Sequence, residues 1–159
     1  MTIRKTTAHD FPGVCRIYAM ARDFMREKGN PYQWGDAYPP VDLIKHDISA
    51  GSSYVCTNGK EISAVFYFAI EPEPTYLRID GRWLNDAQYG VVHRLATDRR
   101  FRGTGAFCLD WCYKQCLNLR IDTHRDNAPM ISRLDKSGFT CCGVIWVENG
   151  DERLAFQKA

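Results

Sequence analysis

The chain has 159 residues, 45% hydrophobic and 25% charged, with a formal net charge of +2. That is enough for one domain with a full core, and the composition is that of a globular protein. So small a charge implies no strong nucleic-acid or membrane surface. No apolar stretch is long enough to span a bilayer, and the N-terminus MTIRKTTAHD lacks the apolar segment of a signal peptide, so a cytoplasmic location is expected.

Ile3 to Thr6 reads as a short first strand. Asp10 suits a helix N-cap, with Pro12 in the first turn. Val14, Ile17, Tyr18, Ala21, Phe24 and Met25 then recur at helical spacing, and Gly29 ends that helix. Asn30 to Pro40, NPYQWGDAYPP, is a loop carrying Tyr32, Trp34 and Tyr38. Aromatic area on a loop either lines a site or plugs one end of the core. Val41 to Ala50 is a second helix, closed by Gly51. Ser53–Thr57 and Glu61–Ile70 flank Asn58-Gly59, a strong hairpin signal, and the second arm is apolar on both faces, as a central strand should be. EPEPT breaks it, Thr75 to Asp80 reads as a short extra strand, and Gly81 to Gln88 as a loop.

Tyr89 to Thr97 is the next strand, followed by a turn containing Arg99, Arg100, Arg102, Gly103 and Gly105, and a helix from Thr104. On that helix Cys108, Cys112 and Cys116 form one stripe. A metal site would need further ligands, with only His93 and His124 near in sequence, so the stripe is read as core and no metal is expected. The seven cysteines include no CxxC pair and suit a reducing compartment. Leu119 to Asp122 is a strand, Ala128 to Ser137 a helix closed by Gly138, and Phe139–Val147 and Arg153–Gln157 a final hairpin about Glu148–Asp151.

A strand feeding a glycine loop that opens a helix is a phosphate site on physical grounds. The first turn leaves N–H donors unpaired, the macrodipole places positive charge there, and an arginine can clamp the anion. An ordinary basic loop capping a helix is the alternative. There is no Gly-Lys-Ser/Thr, and no GxGxxG followed by an acidic ribose ligand, so Walker A and dinucleotide loops are excluded.

What remains resembles the GNAT superfamily of acyl-CoA N-acyltransferases, whose motif Arg/Gln-x-x-Gly-x-Gly/Ala follows a strand ending in a triplet like Leu95-Ala96-Thr97. Two registers fit. Arg100 to Gly105 matches letter for letter, whereas counting from the strand end favours Arg102 to Phe107, with Phe107 replacing the last small residue. The element order β-α-α-β-β-β-α-β-α-β-β resembles the same fold from end to end. Asn127, a helix, and Ser137-Gly138-Phe139 resemble a further family pattern, with Leu134 in the place of its tyrosine. The resemblance implies a mixed α/β fold over residues 1–159, a central mixed sheet with splayed parallel strands flanked by about four helices.

It also implies acetyl-CoA as cofactor. The pyrophosphate would lie on the amides of Gly103, Thr104, Gly105, Ala106 and Phe107 with Arg102 as cation. The pantetheine would run beside Leu95, Ala96 and Thr97, and Asn127 would contact it from the far side. A backbone N–H near Leu95–Ala96 would face the developing oxyanion. The acceptor would be an amine of a small molecule, peptide or protein, and a homodimer through the C-terminal strands is in keeping with the family. His93 is the candidate base: it lies two residues before Leu95, so strand alternation puts both on one face. A satisfied core histidine is the alternative. His124, in the turn after LRID, is read as binding substrate, acting as base or capping the next helix, and Tyr32 and Trp34 as acceptor contacts, with Glu71 nearby. Leu134 offers no hydroxyl to protonate a leaving thiolate. Either the thiolate leaves unaided or by another donor, or the chain binds acyl-CoA without turnover.

Overall fold

The computed structural model describes residues 1–159. The chain forms β1 (Thr2–Lys5), α1 (Phe11–Glu27), α2 (Val41–Ser49), β2 (Ser53–Asn58), β3 (Glu61–Ala69), β4 (Asp80–Gly81), β5 (Gly90–Thr97), α3 (Thr104–Cys116), β6 (Leu119–Thr123), α4 (Ala128–Lys136), β7 (Thr140–Trp146) and β8 (Glu152–Lys158). Short 3-10 turns lie at Ala8–Asp10 and Pro74–Tyr76. All strands belong to one eight-stranded sheet, ordered β1-β2-β3-β5-β6-β8-β7-β4. Its pairs are antiparallel except for β5 with β6, which are parallel.

Helices cover both faces, which is why β3 and β5 carry apolar residues on both. On one side Val14, Ile17 and Tyr18 of α1 and Ile44 of α2 pack with Val55, Val65 and Ala96. On the other, Cys108, Leu109 and Cys112 of α3 and Leu134 of α4 pack with Phe66, Phe68, Val92 and Phe156. The cysteine stripe is thus core. A third cluster, Tyr76, Val91, Ile145 and Ala155, lies beneath the segment between β3 and β5. No helix is long and apolar enough to cross a membrane.

Two local expectations are corrected. Thr75–Asp80 is not a strand. Pro74 opens a 3-10 turn whose N-cap is Glu73, Tyr76 is buried, and only Asp80–Gly81 pairs with the sheet, against β7. Asp10 stands at the N-cap of α1 without capping it, because its carboxylate accepts from Arg4 and from Thr7 N–H at 2.8 Å.

The feature that creates the site is the failure of β5 to stay with β6. They pair at Gly90–Leu119 and Val91–Arg120 and nowhere further. At the root of this fork only glycine fits: a Cβ on Gly90 would lie 2.7 Å from the Phe68 ring and 2.8 Å from Cys116 Sγ. Beyond it, β5 carries one extra residue against β3, because Val65 pairs with Ala96 but Tyr67 with His93. Arg94 sits in this bulge at φ +54°, a left-handed conformation rare for a residue with a side chain.

Candidate active site

The fork between β5 and β6 opens a cleft of about 930 Å³, walled by Leu95, Ala96 and Thr97 on one side and Ile121, Asp122 and Thr123 on the other. At one end is the loop after β5. Gly103, the N-cap of α3, has φ +86°, free for glycine and costing other residues roughly 1–2 kcal/mol. The N–H groups of Gly103, Thr104, Gly105 and Ala106 have no acceptor within the chain, and Phe107 N–H is the first to be taken, by Gly103 O at 2.9 Å. Arg99, Arg102 and Arg133 line this end, none of them in an ion pair. Free amides at a helix N-terminus among unpaired arginines form an anion site.

The two loop arginines of the competing registers differ. Arg100 is held by Asp98 at 2.6 Å and Glu61 at 2.7 Å and does not reach the cleft, whereas Arg102 lines it.

At the other end charges are partly buried and bonded within the protein. His93 Nε2 meets Glu73 Oε2 at 3.0 Å, while Nδ1 stands 3.8 Å from Asp122 Oδ1, too far for a hydrogen bond. Tyr76 donates its hydroxyl to Asp122 Oδ1 at 2.7 Å. The hydrogen bond from His93 holds the Glu73 carboxyl at about 2, against the opposing effect of its burial. Beside this group, Arg94 donates to Asp47 at 2.7 Å and to the Tyr38 hydroxyl at 3.2 Å, with its guanidinium 5.0 Å from the Tyr67 ring centre. Desolvation raises the Asp47 carboxyl, an effect that the Arg94 charge opposes. Arg94 Nε is buried without a partner. Tyr67 also donates its hydroxyl to Glu71.

Of the residues expected at the site, His93, Leu95, Ala96, Thr97, Arg102, Gly103, Thr104, Gly105, Asn127 and Trp34 line the cleft. The alternation argument for His93 is corrected by the bulge. Leu95 packs towards α3, while His93 lies against the Tyr67 and Tyr76 rings. Phe107 is also corrected: its amide closes the first helical bond and its ring joins the core. The side chain of Ala106 lies outside the cleft, although its amide is free. Tyr32 is 80% exposed and away from the cleft, because the loop turns Trp34 inward against Tyr18 and Tyr38 instead. His124 is likewise outside it, its Nδ1 accepting Asp126 N–H at 3.1 Å. Asn127 is a wall residue whose amide group is already engaged, accepting from Met130 N–H at 3.2 Å and donating to Gln33 at 3.0 Å.

Glu73, Asp122, Arg94 and Asp47 were not expected. Arg94 meets Asp47 across 47 residues of sequence and has no local signal. Glu73 had one: the antiparallel pairing of β3 with β5 brings the segment after β3 back beside the start of β5.

Comparison with solved structures defines the class. An acetyltransferase of the GNAT family from Streptococcus agalactiae superposes with TM-score 0.84 at 29% identity, covering 99% of this chain and 94% of that one. The yncA protein of Salmonella typhimurium, solved with its cofactor acetyl-CoA, gives 0.64 at 16% identity, covering 98% and 91%. A GNAT-like decarboxylase, GphF, in complex with isobutyryl-CoA gives 0.72 at 13% identity, covering 100% and 99%. No family model matches the sequence, and no curated protein does. The chain has the fold of the GNAT superfamily of acyl-CoA N-acyltransferases.

Proposed function

We propose that this chain is an N-acetyltransferase that moves an acetyl group from acetyl-CoA to the primary amine of a small molecule or peptide, both bound at once in the forked cleft. The observation that carries this reading is the combination within one cleft of four free amides at the start of α3, a β5 edge unpaired from Val92 onward, and a histidine between two carboxylates. The residues fit the cofactor. The amides of Gly103 to Ala106 and Arg102 suit the pyrophosphate, and the open edge at Leu95–Thr97 suits the amide groups of pantetheine, as an added strand would. When bound, acetyl-CoA supplies the thioester carbonyl carbon for attack.

An alkyl amine is almost wholly protonated at pH 7, and freeing it costs roughly 4–5 kcal/mol. With Nε2–H donated to Glu73, the neutral ring of His93 keeps its lone pair on Nδ1, which has no partner of its own. Nδ1 therefore takes the proton from the amine, and the imidazolium that results lies between Glu73 and Asp122. Glu73 sets the tautomer, and Tyr76 fixes Asp122. Leu134 is fully buried and has no hydroxyl. A thiol with a pKa of ~8.5 leaves as thiolate without a donor there. The seven free cysteines are in keeping with a reducing compartment such as the cytoplasm.

The test is thiol release on incubation with acetyl-CoA and a panel of amines. Release that requires both partners, together with protection from heat by CoA but not by ATP, is the expected result. Protection without release would make the chain a sensor of acyl-CoA, and protection by neither would remove the reading.

A further inference from the structure

Arg153, the second residue of β8, lines the cleft and is 7% exposed, yet it makes no ion pair. Its one hydrogen bond runs from Nη1 to the carbonyl of its neighbour Glu152 at 3.0 Å. None of its nitrogens is sealed away without a partner, in contrast to Arg94 Nε and Arg120 Nε. The remaining N–H groups of Arg153 therefore open onto the cleft that it lines. Arg120, the other buried arginine without a carboxylate, is sandwiched between the Trp83 and Tyr89 rings and bonded to Asn85 O. Arg153 has no such stacking. A guanidinium withdrawn from water without an anion is costly, and one that faces a cavity is answered by an anion within it.

Its position says which anion. Ala155 pairs with Asp122 across β6 and β8, and it packs with Tyr76 and Val91 while Leu154 and Phe156 join the opposite core. Strand alternation thus puts Arg153 on the face that carries Asp122 and His93. Two residues along β8 and one strand across, its Cα lies about 8 Å from that of Asp122. This is the face that carries His93, opposite the one on which α3 packs. We infer that Arg153 binds a carboxylate belonging to the acceptor, so that the acceptor is an amino acid. Its amine lies at His93 and Asp122, and its carboxylate on Arg153. This rests on the transferase reading above and narrows it.

The probe is a set of free L-amino acids, each with its methyl ester and its decarboxylated amine, tested with acetyl-CoA on wild type, Arg153→Gln and Arg153→Lys. The expected result is that at least one free amino acid is preferred over its ester in kcat/KM by roughly 10- to 100-fold, the range of a charge-assisted hydrogen bond. Arg153→Gln should erase that preference while leaving the ester's rate within about threefold, and Arg153→Lys should keep part of it. Protection from heat by CoA, retained in both variants, shows that they fold. Equal use of acid and ester by wild type, turnover of carboxylate-free amines alone, or an unchanged preference in Arg153→Gln overturns the assignment, and with thiol release intact leaves the transferase reading standing. Absence of thiol release with every amine removes both, and CoA protection then separates a sensor from a protein that does not bind the cofactor.

Discussion

The two ends of the cleft hold charge in opposite ways. At the start of α3, Arg99 and Arg102 are exposed, unpaired and beside four free amides. At the bulge, His93 is bonded to Glu73, Asp122 to Tyr76 and Arg94 to Asp47, all of them partly or wholly buried. Exposed cations are stable in water and free to meet an anion that arrives and departs, so their loss costs binding and little stability. Buried charges must be paired to be tolerated at all, so their loss costs stability, chemistry or both. One end is built for a cofactor that exchanges, the other for a geometry that does not.

The sharpest break in that contrast comes from His93. Exchange for Gln should lower kcat/KM by about 100- to 10,000-fold, the usual range for a general base, and flatten its dependence between pH 6 and 9. An unchanged profile would return His93 to the status of a core residue. Next in size is the ion pair behind it. Asp47→Ala strands Arg94, whose side chain is 10% exposed, and should cost about 3 kcal/mol in urea unfolding. Arg102→Ala should stay within about 0.5 kcal/mol of wild type in the same assay. The cofactor end should respond in KM. Arg102→Ala should raise the KM for acetyl-CoA roughly tenfold, as expected for one charge-assisted contact, while Arg100→Ala, whose side chain serves Asp98 and Glu61, should leave it nearly unchanged. The reverse pattern would restore the other register of the loop. The smallest effect is in acid. Glu73 is held at about 2 against an ordinary 4.5, so the folded state binds its proton less readily than the unfolded chain does. Its contribution is complete above pH 4.5 and is lost as pH falls towards 2, a slope that should be shallower in Glu73→Gln.

The same contrast divides what could be read from the sequence. The fold was legible because its signals are local: helical spacing from Val14 to Met25, Asn58-Gly59 between two strands, and glycines at the ends of helices. The loop was legible for the same reason, since Gly103, Gly105 and Arg102 are neighbours. The splay of β5 from β6 came from the family resemblance and is present, with pairing confined to two positions. The buried end was not legible. A single extra residue at Arg94 leaves no pattern in composition, yet it reverses the facing of everything after it and undoes the argument that linked His93 to Leu95. Glu73 sits in a segment whose prolines suggest only a break, and its role depends on a histidine 20 residues on. Tyr32 and Trp34 are two residues apart on one loop, and nothing in their identity says which turns inward; packing against Tyr18 decides it.

The most direct test is the initial rate of thiol release with acetyl-CoA and an accepted amine varied together. If both occupy the forked cleft at once, with His93 freeing the amine for direct attack, reciprocal plots intersect and no acetyl group remains on the protein when the amine is left out. Parallel plots with an acetylated cysteine, or no release from protein that CoA still protects from heat, would contradict it.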